Sequence, residues 1–164
     1  MANITIGGNP IHTNGALPAV GSTAPSFELV NVSLENVKLA SIPGRKILNI
    51  FPSVGTGICA TSVRKFNEEA TKLDGVTVLC ISHDLPFAAK EFCGAEGLEK
   101  VVMLSGFRSK FAVDYGVLLE DGPFQGLMAR AVLVLDENNV VVYGELVPEI
   151  AQEPNYAAAL AALS

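Results

Sequence analysis

Residues 49–66, NIFPSVGTGICATSVRKF, decide the fold of this chain. The apolar run at residues 47–51 predicts a buried strand, and Pro52 ends that strand because proline gives a sheet no backbone N–H. Beyond Cys59, apolar residues recur at helical spacing, at Val63, Phe66, Ala70 and Leu73. The pattern therefore predicts a strand, a loop that contains two glycines, and a helix that begins near Cys59 and ends at about Leu73.

A cysteine at the start of a helix is well placed for nucleophilic chemistry. The reactive form of cysteine is the thiolate. The free amides and the partial positive charge of a helix N-terminus favour an anion. The alternative is that Cys59 is a small buried hydrophobic residue, as free cysteines commonly are. Position alone leaves both interpretations open.

Residues 52–59 also match a known motif. Their spacing, Pro-x-x-x-Thr-x-x-Cys, resembles the signature of the peroxiredoxins. The longer string through Phe66, together with FCGAEGL at residues 92–98, is similar to the bacterial thiol peroxidases, an atypical two-cysteine subgroup. The likeness covers nearly the whole chain. The chain departs from that subgroup at Gly55, where an acidic residue is common, and at His83, where a histidine is not expected.

The resemblance implies a role for each of four residues. Cys59 would attack hydrogen peroxide or an alkyl hydroperoxide, Thr56 would direct its hydroxyl toward the sulfur, and Pro52 would shield the sulfur from water. The alternatives are a helix cap for Thr56 and a simple strand end for Pro52. Cys93 would resolve the Cys59 sulfenic acid as an intrachain disulfide, and thioredoxin would reduce that disulfide. This scheme needs no cofactor: no haem, flavin or metal.

The reaction also needs donors for the negative charge that develops on the two peroxide oxygens. An arginine suits this task, because its charge is permanent and its donors form a rigid fork. Arg130 opens the otherwise apolar residues 131–135, where a surface charge is unexpected, and the resemblance through residues 126–131 also points to it. Arg64 lies five positions after Cys59 and falls on a different face of the predicted helix. Arg130 is therefore the predicted active-site arginine, and Arg64 is the alternative.

The composition sets limits on the class of protein. The chain has 164 residues, of which 49% are hydrophobic and 17% charged, and this predicts one folded domain over residues 1–164. A net charge of −6 argues against a nucleic-acid surface. No apolar run reaches the roughly 18 residues of a membrane helix. The first residues lack the pattern of a signal peptide, so the expected location is cytoplasmic.

The three cysteines do not form a recognisable metal or disulfide framework. They include no C-x-x-C pair, and with only two histidines a zinc site is not favoured. Cys80 lies inside an almost wholly apolar run at residues 76–82, where a packing role is expected. In a reducing compartment a disulfide is more often transient and catalytic than structural.

The rest of the chain alternates between strand and helix patterns. Residues 4–6 and 11–13 predict an N-terminal β-hairpin. A helix is predicted to begin with Asp84 as its cap and to be ended by Gly94 and Gly97. Further strands are predicted at residues 27–30, 101–104, 129–135 and 140–146, with helical turns at 109–115 and a terminal helix at 155–163. This order predicts an α/β, three-layer fold that is compatible with a thioredoxin-like domain, and the resemblance implies the same fold.

Two other classes of protein stay open at this point. One is a thiol–disulfide oxidoreductase that acts on proteins, although the absence of a C-x-x-C pair counts against it. The other is a redox-regulated binding protein on a thioredoxin-like scaffold. A homodimer is also predicted, from a group of apolar residues outside the strands: Phe107, Phe111, Tyr115, Phe124, Leu127 and Met128.

Overall fold

The computed structural model describes residues 2–163. Its strands are β1 (Asn3–Ile6), β2 (Asn9–His12), β3 (Glu28–Asn31), β4 (Asn36–Lys38), β5 (Arg45–Ile50), β6 (Val76–Ser82), β7 (Val101–Ser105), β8 (Ala131–Leu135) and β9 (Val141–Leu146). Its helices are α1 (Gly57–Ala70), α2 (Pro86–Glu96), α3 (Phe111–Asp114) and α4 (Tyr156–Ala161). Strands β3 to β9 form one mixed sheet in the order β4-β3-β7-β6-β5-β8-β9, and β1 pairs with β2.

The central strands are buried on both faces of the sheet. Because successive side chains of a strand point to opposite faces, Ile47 and Val78 join one hydrophobic cluster while Leu48 and Leu79 join the other. The first cluster is covered by α1, α2 and α4, and the second by α3 and the β1–β2 hairpin. The predicted three-layer arrangement is confirmed, with three of the four helices on one face.

The predicted N-terminal hairpin is confirmed, but its turn is shorter than expected. The turn consists of Gly7 and Gly8, both with positive φ, whereas Pro10 lies within β2 opposite Thr5. The N–H and C=O of Thr5 bond outward, to Pro148 and Ile150, so Thr5 and Pro10 form a pair without mutual hydrogen bonds. Proline therefore costs the hairpin no ladder bond.

The order and direction of the strands bring distant segments to one edge of the sheet. Strands β5, β6 and β7 are parallel, so their carboxyl ends lie side by side. Strand β8 runs antiparallel to β5 with Ala131 opposite Ile50, which places the start of β8 at the same edge. The loop that leads into α1 and the segment that leads into α2 both leave the sheet there.

The two long helices begin and end slightly differently from the sequence prediction. Helix α1 ends at Ala70, before Leu73. Helix α2 begins at Pro86, and its N-cap is Leu85, which makes no side-chain cap; the prediction of Asp84 as the cap is wrong because its carboxylate binds another loop. Gly94 lies inside α2, and only Gly97, in the left-handed conformation, ends it.

The apolar residues that suggested a dimer interface are mostly part of the core of the chain itself. Phe111, Tyr115 and Met128 are buried, because α3 and the following loop pack on the sheet beside Phe27. Phe107 is 44% exposed. Most of these residues are therefore not available for an interface with a second chain, contrary to the expectation from the sequence. Over residues 2–163, the structure has no helix of the length and apolar character that crossing a membrane requires.

Candidate active site

Cys59 lies in the first turn of α1 and its side chain is fully buried. The chain reaches this position from β5, turns through residues 51–56 and enters the helix at Gly57. Cys59 therefore belongs to the helix turn whose backbone amides have no partner within the helix and whose partial positive charge favours an anion. On the other side, the Ser62 hydroxyl donates a hydrogen bond to the Cys59 carbonyl oxygen at 2.8 Å and braces this first turn.

Arg130 is the polar group in direct contact with the Cys59 sulfur. Its Nη2 atom donates to Cys59 Sγ at 3.2 Å, and its Nε atom donates to the Ile150 carbonyl oxygen at 2.9 Å. Arg130 is 1% exposed, and among the described residues its buried Nη1 atom has no hydrogen-bond partner. A buried donor without a partner is costly, so this atom is suited to a ligand that reaches the sulfur.

Arg64, the alternative arginine, lies elsewhere. Its side chain is on the exposed side of α1 and donates to the Glu96 carboxylate at 2.7 Å and 3.2 Å. The hydrogen bond to Glu96 raises the pKa of Arg64 further. The structure thus brings Arg130, and not Arg64, to the sulfur.

Thr56 and Pro52 lie in the loop before α1. Thr56 occupies the N-cap position, but its hydroxyl caps no helix amide and instead donates to the Ser53 carbonyl oxygen at 3.1 Å. Its oxygen lone pairs stay available as acceptors. Pro52 is buried two residues after the end of β5. Among the hydrogen bonds of the described residues, none joins the Thr56 hydroxyl to the sulfur.

The other two cysteines differ in their surroundings. Cys80 lies in β6 and is buried, and burial raises its pKa to about 12, so the thiol is protonated at neutral pH. Cys93 lies in α2 one turn before Gly97; it is half-buried beside the hydrophobic cluster that contains Cys59, and burial raises its pKa. All three cysteines are free thiols in this structure.

Sequence reasoning missed two residues of this site. Ile150 supplies the carbonyl that orients Arg130, and no local pattern marks it. Asp84 binds Ser53 and Val54 in the loop before Cys59. A signal for Asp84 was present, because it follows one parallel strand and the loop follows its neighbour, and such ends meet at one sheet edge.

The fold and this site define a class of protein. A buried cysteine at a helix N-terminus, with a guanidinium on its sulfur and a second cysteine packed against the same hydrophobic cluster, is an arrangement for thiol-dependent redox chemistry. The comparisons with known proteins agree with that class. The redoxin family model matches residues 19–160.

Relatives with high identity make the assignment more specific. The chain is 58% identical to the thiol peroxidase of Mycobacterium tuberculosis over 99% of both chains. It is 56% identical to the thiol peroxidase of Corynebacterium glutamicum over the full length of both. Its structure matches that of a peroxiredoxin-like protein from Aquifex aeolicus with a TM-score of 0.91, at 35% identity, over 98% of this chain and 95% of the other. The chain belongs to the thiol peroxidases of the redoxin family, which are peroxiredoxin-type enzymes with a thioredoxin-like fold.

Proposed function

We propose that this chain reduces hydrogen peroxide and alkyl hydroperoxides with Cys59 as the attacking thiol and Cys93 as the resolving thiol. The observation that carries the proposal is the contact between Arg130 Nη2 and Cys59 Sγ at 3.2 Å, beside a buried guanidinium nitrogen that has no hydrogen-bond partner within residues 2–163. A cation at that distance stabilises the negative charge of the reacting atoms during the attack. The free donor is available to an oxygen of the peroxide.

In the first step, the Cys59 thiolate attacks one peroxide oxygen and the O–O bond breaks. The attacked oxygen stays on sulfur with its hydrogen as a sulfenic acid. The other oxygen leaves as an alkoxide from an alkyl hydroperoxide, or as hydroxide from hydrogen peroxide, and takes up a proton to give an alcohol or water. Arg130 stabilises the charge on both oxygens. The Thr56 hydroxyl donates its proton to the Ser53 carbonyl, so its oxygen accepts a hydrogen bond from the peroxide O–H. The buried Pro52 keeps bulk water away from the sulfur.

In the second step, the Cys93 sulfur attacks the Cys59 sulfenic sulfur. A Cys59–Cys93 disulfide forms and the sulfenic oxygen leaves as water. Since burial raises the pKa of Cys93, this thiol becomes a better nucleophile when it leaves its half-buried position. The dithiol of thioredoxin then reduces the disulfide by exchange, which supplies the two electrons of the cycle. A thioredoxin-dependent cycle suits the cytoplasm, which is the location we propose.

Single-cysteine variants test this proposal. With thioredoxin, its reductase and NADPH, the full chain should oxidise NADPH only when peroxide is added. Cys59→Ser should be inactive. Cys93→Ser should consume about one peroxide per chain and then stall, with sulfinic acid accumulating at Cys59. Cys80→Ser is the matched control and should turn over normally. Sustained turnover of Cys93→Ser with thioredoxin would exclude the intrachain disulfide.

We also propose that the chain is a homodimer. The supporting surface is different from the one expected from the sequence: Leu85, Phe87 and Phe107 are 50%, 66% and 44% exposed. Phe107 and the segment before α2 are joined by Ser105, whose hydroxyl donates to the Asp84 carbonyl while accepting from the Phe107 amide. Sedimentation at micromolar concentration should give a dimer for the wild type and a monomer for Phe87→Lys with Phe107→Lys. A monomeric wild type would contradict the proposal.

A further inference from the structure

Asp84 connects the loop before Cys59 to the edge of the sheet. Its Oδ1 atom accepts a hydrogen bond from Ser53 Oγ at 2.7 Å. Its Oδ2 atom accepts from the Val54 amide at 2.9 Å and from Ser82 Oγ at 2.8 Å. Two of these donors lie in the loop that carries Thr56 to the site, and the third ends β6. Hydrogen bonds to a charged carboxylate are stronger than those between neutral groups.

Ser53 extends this connection to Thr56. Its hydroxyl oxygen accepts from the Gly55 amide at 3.0 Å. Its carbonyl oxygen accepts from both the amide and the hydroxyl of Thr56, each at 3.1 Å. Asp84 therefore holds Ser53, and Ser53 fixes both the backbone of Thr56 and the direction of its hydroxyl proton.

Asp84 is itself fixed on rigid structure. Its amide donates to Ser82 Oγ at 3.1 Å, and its carbonyl accepts from Ser105 Oγ at 2.5 Å. Ser82 and Ser105 end two parallel strands and are each 3% exposed. The carboxylate makes no cap for α2. Its charge and its hydrogen bonds are therefore directed at the loop and not at the helix that follows it.

We propose that Asp84 is a positioning residue for peroxide reduction, which holds residues 52–56 so that the Thr56 oxygen faces a peroxide bound between Cys59 and Arg130. The inference rests on the proposed function. Because Asp84 acts through Ser53 and Thr56, its loss should slow the reaction of Cys59 with peroxide. The later reaction of Cys93 should be nearly unaffected. A displacement of about 1 Å in such a group can cost up to about 100-fold in rate.

Two substitutions separate position from charge. Asp84→Ala removes both carboxylate hydrogen bonds to the loop and should lower the rate constant of Cys59 oxidation about 10-fold or more. Asp84→Asn loses the charge but keeps the shape: its amide oxygen can accept from Val54, and its NH2 can donate to Ser53. It should stay within about 3-fold of the wild type, because the contacts that orient the loop remain.

The experiment is stopped-flow oxidation of the full reduced chain by hydrogen peroxide, which resolves Cys59 oxidation from disulfide formation, at a temperature well below unfolding for each variant. Asp136→Ala is the matched control, since that carboxylate also accepts from two loop amides, of Asn138 and Val140, but lies in the β8–β9 turn. It should oxidise at the wild-type rate. Should Asp84→Ala fail to fold, Ser53→Ala removes the central link and should slow the same step.

The outcomes distinguish this inference from the proposed function. Slow Cys59 oxidation in Asp84→Ala, rescue in Asp84→Asn and an unchanged disulfide step support it. If Asp84→Ala oxidises at the wild-type rate, or if Asp84→Asn is as slow as Asp84→Ala, the positioning role is overturned while the peroxidase stands. A selective change in disulfide formation would overturn it too, by assigning Asp84 to α2. A wild-type chain inert to peroxide would overturn the proposed function itself.

Discussion

Arg130 Nη2 lies 3.2 Å from Cys59 Sγ although 71 positions separate the two residues in the chain. The pairing of β8 with β5 produces this contact, because Ala131 stands opposite Ile50 and the two chain segments beyond that pair meet at the sheet edge. The Ile150 carbonyl then fixes the guanidinium through Nε. The sheet register, and not the local sequence, therefore joins the arginine to the sulfur.

Arg130→Met should impair the chemistry far more than the fold. The methionine keeps an apolar stem but loses the donors to the sulfur and the peroxide, so peroxide reduction should slow about 100-fold. The alkylation rate of Cys59 at neutral pH should also fall. The Ile150 carbonyl loses its donor, at a cost of about 1–3 kcal/mol in the free energy of unfolding.

Arg64→Met is the matched control for this substitution. Its guanidinium is exposed and paired with Glu96, so the exchange should leave both peroxide reduction and alkylation unchanged. Stopped-flow kinetics, iodoacetamide alkylation and thermal melts of the two variants give the comparison. If Arg64→Met is impaired and Arg130→Met is not, the assignment of the arginine is reversed.

Gly94→Ala should slow the formation of the Cys59–Cys93 disulfide. Gly94 is exposed inside α2, and a Cβ added there meets no heavy atom within 4 Å. Alanine favours a helix over glycine by about 0.8–1 kcal/mol. If the last turn of α2 must unwind to deliver Cys93, the disulfide step should therefore slow about 3- to 5-fold.

Ala95→Gly provides the opposite change at the neighbouring exposed position of the same turn. It should accelerate disulfide formation by a similar factor, because it lowers the helix propensity that Gly94→Ala raises. Rapid mixing with peroxide, followed by timed alkylation of the remaining thiols, measures the step directly. Equal rates in both variants and the wild type would show that α2 keeps its last turn during the reaction.

Glu149 should make the stability of the fold depend on pH in the acidic range. Its pKa is lowered to about 2, from 4.5, because its carboxylate accepts hydrogen bonds from the Ala151 and Gly8 amides, and also from Thr5 and Gly7. When the folded state lowers the pKa of a carboxyl group, the group stabilises the fold at any pH above its unfolded-state pKa. That contribution is lost as the pH falls through the folded-state pKa. Its stabilising contribution is thus present above pH 4.5 and disappears toward pH 2.

Glu149→Gln should accordingly melt at a lower temperature than the wild type above pH 4.5, with the gap closing as the pH falls toward 2. Glu99→Gln, at an exposed glutamate with no hydrogen bond among the described residues, should show no such gap. Melting temperatures of the three chains across this pH range test the claim. A gap that stays constant with pH would show that the carboxylate charge is not involved.

Much of the fold and part of the site could be predicted because their signals are local. The strand, loop and helix around Cys59 follow from an apolar run, a proline and helical spacing within one stretch of chain. The edge strand β4 was missed because it has three residues, of which Asn36 and Lys38 are exposed. The burial of Phe111 and Tyr115 was missed because their neighbour Phe27 lies far away in the sequence.

Asp84 shows the limit of local reasoning most clearly. An aspartate followed by Leu85 and Pro86 has the appearance of a helix cap, and α2 does begin at Pro86. The partners of its carboxylate, Ser53 and Val54, lie 31 and 30 positions earlier. Only the parallel pairing of β5 with β6 brings them together.

Disulfide formation should loosen the first turn of α1 and the last turn of α2. In the reduced structure Cys59 is fully buried, and its turn is held by the Ser62 hydroxyl and by the bond from the Ala60 amide to the Thr56 carbonyl. Cys93 lies near the end of α2, and its carbonyl oxygen accepts a hydrogen bond from the Leu98 amide. A disulfide needs Cα atoms about 4.4–6.8 Å apart. Two intact helix turns are poorly suited to hold the two Cα atoms at that distance while leaving room for a peroxide beside the sulfur.

Amide hydrogen exchange of the reduced and disulfide forms tests this motion. Residues 57–62 and 90–97 should exchange faster in the disulfide form, because local unwinding exposes their amides to water. Residues 78–81 of β6 lie in the buried sheet and are the internal control, with equal protection expected in both forms. Unchanged exchange at residues 57–62 and 90–97 would mean that the two cysteines meet without unwinding, and the rate changes expected for Gly94→Ala and Ala95→Gly should then be absent as well.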